Sequence, residues 1–310
     1  MKDWVDQCHL GDCIEVMRRM PDGIVQTCVT SPPYFGLRDY GHDGQIGLEA
    51  TPDAYIAKLV EVFREVKRVL RDDGTLWLNI GDSYAANRGY QVPDGKVGDV
   101  GNSKGSKVPD GLKAKDLIGI PWMLAFALRA DGWYLRQEII WAKPNPMPES
   151  VTDRCTKSHE SIFLLAKSEK YYFDAGAIAE QTDYPAGPGN KTHRHMDGAV
   201  YGLPEKASCQ SGMLGIGPRE TRNKRSVWTV ATTPYSGAHF ATFPPKLIEP
   251  CILAGAPAGG IVLDPFFGSG TTGQVAQALG RQYIGCELNP SYKGLQDQRT
   301  CQSSLELEAA

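Results

Sequence analysis

Ile261-Val262-Leu263-Asp264-Pro265-Phe266-Phe267-Gly268-Ser269-Gly270-Thr271-Thr272-Gly273 reads as a strand, a glycine turn and the start of a helix. Gly268, Gly270 and Gly273 have G-x-G-x-x-G spacing. Tyr283-Ile284-Gly285-Cys286-Glu287 then reads as a second strand ending in an acid, with Glu287 placed 19 residues after Gly268. Together they form the pattern of a βαβ unit that binds a nucleoside cofactor, because glycines let the backbone approach the ligand and the carboxylate can accept two ribose hydroxyl hydrogen bonds. By spacing alone, NAD is a fair reading.

Outward from this stretch, strands alternate with helices. Ile56, Leu59, Val60, Phe63, Val66 and Val69 recur at helical spacing between Asp53 and Leu70, and Asp72-Asp73-Gly74 is expected to stop that helix. Thr75–Ile80 reads as a buried strand, Leu117–Ala130 as a helix with Pro121 near its start, and Trp133–Trp141 and Ser161–Ala166 as strands. His159 and Glu160 read as the start of a strand rather than as chemistry. The alternation implies an α/β fold with a doubly wound, mostly parallel sheet, which binds ligands at the carboxyl ends of its strands.

Another such end is Ile24-Val25-Gln26-Thr27-Cys28-Val29, followed by Thr30-Ser31-Pro32-Pro33-Tyr34. Proline fixes φ, lacks an N–H and holds the preceding residue extended, so the turn is stiff. Its carbonyls are expected to point outward without a local donor. Acceptors beside the Tyr34 ring suit a pocket for the amine of a flat nucleobase. About 230 residues separate this turn from the glycine turn, yet both begin at strand ends and can share one crevice.

With both stretches in view, the chain resembles the DNA amino-methyltransferases, from Leu10 to about Tyr292. Asp264-Pro265-Phe266 to Thr272 is similar to that family's cofactor motif, and Ser31-Pro32-Pro33-Tyr34 to its catalytic motif. The catalytic motif comes first, as in the circularly permuted β group. The resemblance implies a permuted S-adenosylmethionine-dependent methyltransferase fold with an inserted irregular target-recognition region. It further implies S-adenosylmethionine as cofactor and double-stranded DNA as substrate. A cognate restriction endonuclease is a candidate partner, and the chain is a monomer or a homodimer. Ser-Pro-Pro-Tyr is more typical of cytosine-N4 enzymes, and adenine-N6 is the alternative base.

Carried onto this chain, the catalytic residues are Ser31, Pro32, Pro33 and Tyr34. The cofactor-binding residues are Asp12, Phe243, Lys246, Asp264, Phe266, Gly268, Ser269, Gly270, Thr271, Thr272 and Glu287. Asp12 follows Leu10-Gly11 and reads equally as a simple turn acid. Lys246 follows Phe243-Pro244-Pro245 at the start of a helix, Leu247–Ala254, where a helix N-terminus could attract the carboxylate of the cofactor. Asp153-Arg154-Cys155-Thr156 resembles a family stretch that usually has Pro where Cys155 stands. Phe267 replaces a residue that is often Ala, which suggests a narrower cofactor turn.

The 310 residues suffice for one large domain with an insertion. No run approaches a membrane span, and the start lacks a signal-peptide pattern, so a cytoplasmic protein, nucleoid-associated when acting on DNA, is expected. Eight cysteines without a C-x-x-C pair read as reduced thiols, and no metal site is expected. Cys251 follows Pro250, as a cytosine-C5 nucleophile would, but its apolar neighbours place it in the core. Net charge is −3, so DNA affinity must come from local basic patches.

Residues 86–115 and 181–225 each carry a charge of +3 and lack apolar periodicity. Solvated loops and DNA-contacting segments are the two readings of each, and the family resemblance puts target recognition in the second. The expected organisation is therefore a catalytic half, 1–180, a target-recognition region, 181–235, a cofactor half, 236–295, and an aperiodic tail, 296–310. A methyltransferase acting on RNA or a protein amide, and a non-catalytic or NAD-binding protein on the same fold, are the rival readings.

Overall fold

The computed structural model describes residues 3–36, 42, 44–85, 108, 111–182, 221–232 and 243–308, with side chains to residue 300. In chain order the elements are β1 (Gln7–Leu10), α1 (Cys13–Arg18), β2 (Val25–Thr30), α2 (Pro52–Val69), β3 (Leu70–Ile80), α3 (Ile120–Ala130), β4 (Tyr134–Ala142) and β5 (His159–Ala166). They continue with β6 (Glu180–Gln181), β7 (Thr221–Arg222), β8 (Val227–Thr229), α4 (Pro245–Gly255), β9 (Ile261–Asp264), α5 (Thr271–Ala278), β10 (Gln282–Glu287) and α6 (Lys293–Glu308). The chain forms two compact units, one of Met1–Asp174 with Ser226–Ala310, the other of Ala175–Arg225.

The larger unit is built on a sheet of order β1-β10-β9-β2-β3-β5-β4-β8. All pairings are parallel except those of β5, which runs against both β3 and β4. Two relationships in the sheet define the permutation. The first strand lies beside the last, with Leu10 opposite Glu287. In the middle, β2 lies beside β9, with Thr27 opposite Val262 and Cys28 opposite Leu263. The ends of β2 and β9 therefore open on the same side of the molecule.

Side chains alternate across β2 and β3, and each set meets a different helix layer. Cys28, Leu76, Leu78 and Ile80 join the core formed with α1, α2 and α3. Thr27 and Trp77 instead face α4, where Gly255 leaves room for them: a Cβ there would fall 2.6 Å from the Thr27 hydroxyl. All six residues of β2 are buried, as expected for a sheet covered on both faces.

Helix α2 forms where the spacing of apolar residues predicts it. Thr51 caps it by accepting a 3.2 Å bond from the Ala54 N–H, and Pro52 occupies the first turn, where no N–H is needed. Leu59, Val62, Phe63 and Val66 are fully buried, each worth about 1.5–3 kcal/mol. The helix does not stop at Asp72-Asp73-Gly74. It ends at Val69, and Leu70 turns to extended backbone and enters β3 directly. Gly74 lies inside that strand, where any Cβ would fall 2.9 Å from the Arg71 carbonyl and 3.0 Å from that of Gln26.

Two further expectations change. The tail after Thr300 is helical, since α6 runs to Glu308. Residues 226–232, read with the irregular region, include β8 on the edge of the main sheet, where Trp228 pairs with Trp141. Cys251 is buried on α4, its thiol directed at the Leu247 carbonyl, as the core reading required.

In the smaller unit β6 pairs antiparallel with β7, and Glu180 accepts bonds from Arg222 and Arg225. Residues 183–220 of the expected recognition region, with His193 and His195, and most of 86–115 lie outside the described residues. Among the described residues, no helix is long and apolar enough to cross a membrane. No group of three or more His, Cys, Asp or Glu among them is placed to hold a metal.

Candidate active site

The turn after β9 lines the cavity with its glycine backbone as well as with side chains. Gly268 and Gly270 adopt φ of 51° and 88°, the left-handed region that glycine enters without strain. The turn is held from two sides. Towards β10, the Phe267 N–H donates to the Cys286 carbonyl at 2.9 Å and the Gly268 N–H to Glu287 Oε2 at 2.8 Å. From α6, Gln296 donates to the Gly268 carbonyl at 2.7 Å and the Arg299 guanidinium donates to the Thr271 hydroxyl. Gln296 and Arg299, in the stretch read as an aperiodic tail, thus prop the glycine turn.

Phe267 does not simply narrow this turn. Its ring is buried between Gly273 and Gly285 and stacks on Tyr283, with centroids 5.3 Å apart and planes 8° from parallel. A Cβ at Gly285 would fall 2.5 Å from the ring, and one at Gly273 2.7 Å. Two glycines make the room that a larger residue in the turn requires.

Asp264 is buried and fully engaged. It accepts 2.6 Å bonds from the hydroxyls of Thr30 and Thr272 and a 3.0 Å bond from the Phe266 N–H. Burial pushes its carboxyl up to about 6, against the pull of these three donors. Glu287 closes β10 with one oxygen on the Gly268 N–H and the other on the Asn289 N–H, both at 2.8 Å. Burial raises its carboxyl, and those two backbone bonds oppose the rise. Asp12 caps α1, accepting from the N–H groups of Ile14 and Glu15 at 2.9 and 3.1 Å.

At the end of β2 the Ser31–Tyr34 turn meets one donor the sequence did not reveal: the Tyr55 hydroxyl bonds the Pro33 carbonyl at 2.8 Å. The Tyr34 ring lies against Gly81, where a Cβ would come within 2.5 Å of it. Its hydroxyl donates to Glu160 Oε2 at 2.6 Å. Burial, then the neighbouring Glu160, holds that phenol well above its ordinary range.

Both turns open into one cavity of about 850 Å³. Ser31, Pro32, Pro33 and Tyr34 line one part of it. Asp12, Phe266, Gly268, Ser269, Thr271 and Glu287 line another, with Phe243 and Asp264 also at its wall. The Ser269 hydroxyl is buried in this wall and has no hydrogen-bond partner among the described residues. A buried hydroxyl needs one, and a polar ligand group would supply it. Gly270 and Thr272 stand behind the wall, and Lys246 is exposed on α4 away from it.

Sequence reading missed the polar wall that faces Tyr34. Asn79, Lys143, Lys157 and Glu160 all border the cavity. Lys143 forms an ion pair with Glu160 and lies 4.3 Å from the centre of the Trp141 ring. Asn79 donates to Glu160 at 3.2 Å. Burial lowers the Lys157 amine, and Asp82, Glu160 and Glu149 hold it back. Asp82 itself accepts from Gly119 and Ile120, both at 3.0 Å, and so caps α3 across a long gap in sequence. Lys143 directly follows β4 and Glu160 lies on β5, and the pairing of those two strands brings them together.

Comparison with known proteins agrees with this geometry. A family model described as DNA methylase matches residues 25–296. The chain is 53% identical to the type II methyltransferase M.Cfr9I of Citrobacter freundii, over 91% of this chain and 83% of that one. It is 48% identical to the type II methyltransferase M.SmaI of Serratia marcescens, over 94% and 89%. Among solved structures, the cytosine-N4-specific PvuII DNA methyltransferase superposes with a TM-score of 0.63 at 18% identity, covering 94% of this chain and 85% of that one. TTHA0409 of Thermus thermophilus, complexed with S-adenosyl-L-methionine, superposes with a TM-score of 0.58 at 24% identity, over 96% and 95%.

Proposed function

This chain belongs to the DNA methylase family, as an S-adenosylmethionine-dependent DNA methyltransferase acting on an exocyclic amine, and we propose that this amine is the N4 of cytosine. One observation carries the reading: β2 and β9 are neighbours in the sheet, so the Ser-Pro-Pro-Tyr turn and the glycine turn share one cavity. The Ser31 form of the catalytic turn and the likeness to a cytosine-N4-specific enzyme support the base.

The residues present fit S-adenosylmethionine. Glu287 retains acceptor capacity for the ribose hydroxyls, the glycine turn offers close backbone, and Ser269 offers a buried hydroxyl in want of a partner. Asp12, Phe243, Phe266 and Thr271 border the same space. Asp264 and Thr272 serve by bracing the turn, since their polar atoms bond each other. Lys246, at the solvent-facing start of α4, acts at most through its charge.

When bound, S-adenosylmethionine supplies an activated methyl group. The protein's task is to present the amine and disperse its developing charge. An aromatic amine is a poor nucleophile because its lone pair delocalises into the ring. Ser31 and the Pro32 carbonyl accept hydrogen bonds from its N–H groups and favour a more tetrahedral nitrogen, which sheds one proton to water after the methyl is transferred. Tyr34 stacks on the flipped base, returning part of the few kcal/mol that flipping costs. The basic stretch 181–225 is the part of the chain proposed to contact the DNA, and for 86–115 a solvated loop and a DNA contact both stand. The cytoplasm is the proposed place of action, with a cognate restriction endonuclease as candidate partner.

The test is to incubate the protein with S-adenosylmethionine and unmethylated genomic DNA and analyse the nucleosides by mass spectrometry. N4-methylcytosine is expected. N6-methyladenine would keep the class and overturn the base, and neither product from cofactor-binding protein would overturn the DNA substrate.

A further inference from the structure

Tyr34 and Glu160 lie 126 residues apart, yet the hydroxyl of one is bonded to the carboxylate of the other at 2.6 Å. Glu160 is itself fixed. It pairs with Lys143, which is seated on Trp141, and it accepts from Asn79, whose amide also reaches the Ser161 carbonyl at 3.3 Å. Asn79, Trp141 and Glu160 stand on β3, β4 and β5, the part of the sheet beyond β2, and Lys143 directly follows β4.

We propose that Glu160 is a positioning residue for methyl transfer: it holds the Tyr34 hydroxyl so that the ring stays against Gly81 and presents a fixed platform to the base. The inference rests on the functional reading above. A ring held only by packing at one face can still turn about its two side-chain torsions. Contact with the Gly81 backbone and a bond at the far end of the ring remove both freedoms. An ion pair in a half-buried site also gives little net stability, because desolvation offsets its attraction. A role in geometry accounts for its presence better than a role in stability. One consequence concerns specificity. The Tyr34 hydroxyl is donated to the protein, so Tyr34 offers the base a ring face and no donor, and base identity is read elsewhere in the pocket.

Single-turnover methyl transfer to unmethylated DNA, with cofactor affinity by calorimetry and melting temperature, tests this on Tyr34→Phe, Glu160→Leu, Glu160→Gln and the Tyr34→Phe/Glu160→Leu double variant. Tyr34→Phe and Glu160→Leu should each slow transfer by between about tenfold and a hundredfold. The double variant should be no slower than the worse single, and cofactor affinity should stay within about twofold. Glu160→Gln, which keeps an acceptor for Tyr34, should recover most of the rate. Multiplying losses, a silent Glu160→Leu, or parallel loss of cofactor binding and melting temperature would overturn the role. A wild-type chain that binds cofactor but methylates no DNA would overturn the functional reading instead, and this inference with it.

Discussion

The hydroxyl of Thr30 donates a 2.6 Å hydrogen bond to Asp264, 234 residues away in sequence and one strand away in the sheet. Thr30 is the last residue of the catalytic strand, and Asp264 the last of the cofactor strand. The same carboxylate holds Thr272, at the start of α5. One buried side chain therefore ties the Ser31–Tyr34 turn to the glycine turn.

Thr30→Val keeps the shape and removes the bond, leaving a buried carboxylate oxygen one donor short. The expected cost is about 1–3 kcal/mol of stability, read as a lower melting temperature, with slower methyl transfer. A variant as stable and as active as wild type would show that the bond sets nothing.

Asp264 predicts a pH dependence. Its carboxyl is raised to about 6 in the fold, above the ordinary 3.8. The folded state thus binds more protons than the unfolded state between these values, and stability from this group is lost as pH rises through about 6. Asp264→Asn, with the amide oxygen on Thr30 and the amide donating to a reoriented Thr272 hydroxyl, avoids that loss. The stability of the variant relative to wild type should rise between about pH 4 and pH 6 by up to roughly 3 kcal/mol and level off above. Denaturant titrations across that range decide it, and a difference independent of pH would refute the assignment.

Ser31→Ala and Glu287→Ala should separate chemistry from binding. The first is expected to lower methyl transfer by about a hundredfold with cofactor affinity nearly unchanged. The second removes the acceptor of the Gly268 and Asn289 N–H groups and should weaken cofactor binding by about tenfold or more. Calorimetry with S-adenosylmethionine, beside a transfer assay, distinguishes them. If both properties fell together in Ser31→Ala, Ser31 would be a structural residue.

Gly285→Ala should destabilise the protein by about 1–3 kcal/mol, since the new methyl meets the Phe267 ring. In a Phe267→Ala background the same substitution should cost little. Thermal unfolding of the two single variants and the double gives the coupling, and additive effects would mean that the ring and Gly285 do not compete for space.

Local patterns in the chain made much of this legible. The stripe of apolar residues in α2, the proline turn after β2 and the glycine spacing after β9 each announce their structure over short stretches, because periodicity and backbone stiffness are local properties. Boundaries were less legible. Asp72-Asp73-Gly74 looks like a helix stop, but Leu70 and Thr75 on either side of it pair with β2, so β3 runs through it as an irregularity, and α6 lacks an apolar stripe to mark it. Roles that depend on a distant partner were not legible at all. Asp264 reads as a ligand contact, and nothing local showed that it also braces the two turns. Glu160 reads as the start of a strand, which it is, yet it also anchors Tyr34.

The residue chemistry of the two turns, the alternation of helix and strand, and the order of the motifs could all be read from the chain alone, since each follows from neighbours a few bonds away. Three-dimensional packing was needed to establish that β2 and β9 lie side by side, that α6 props the glycine turn, and that Lys143, Glu160 and Tyr34 form one network. Those relations arise from strand pairing and helix packing between segments far apart in the chain, where burial and hydrogen bonding, rather than local backbone preference, select the partner.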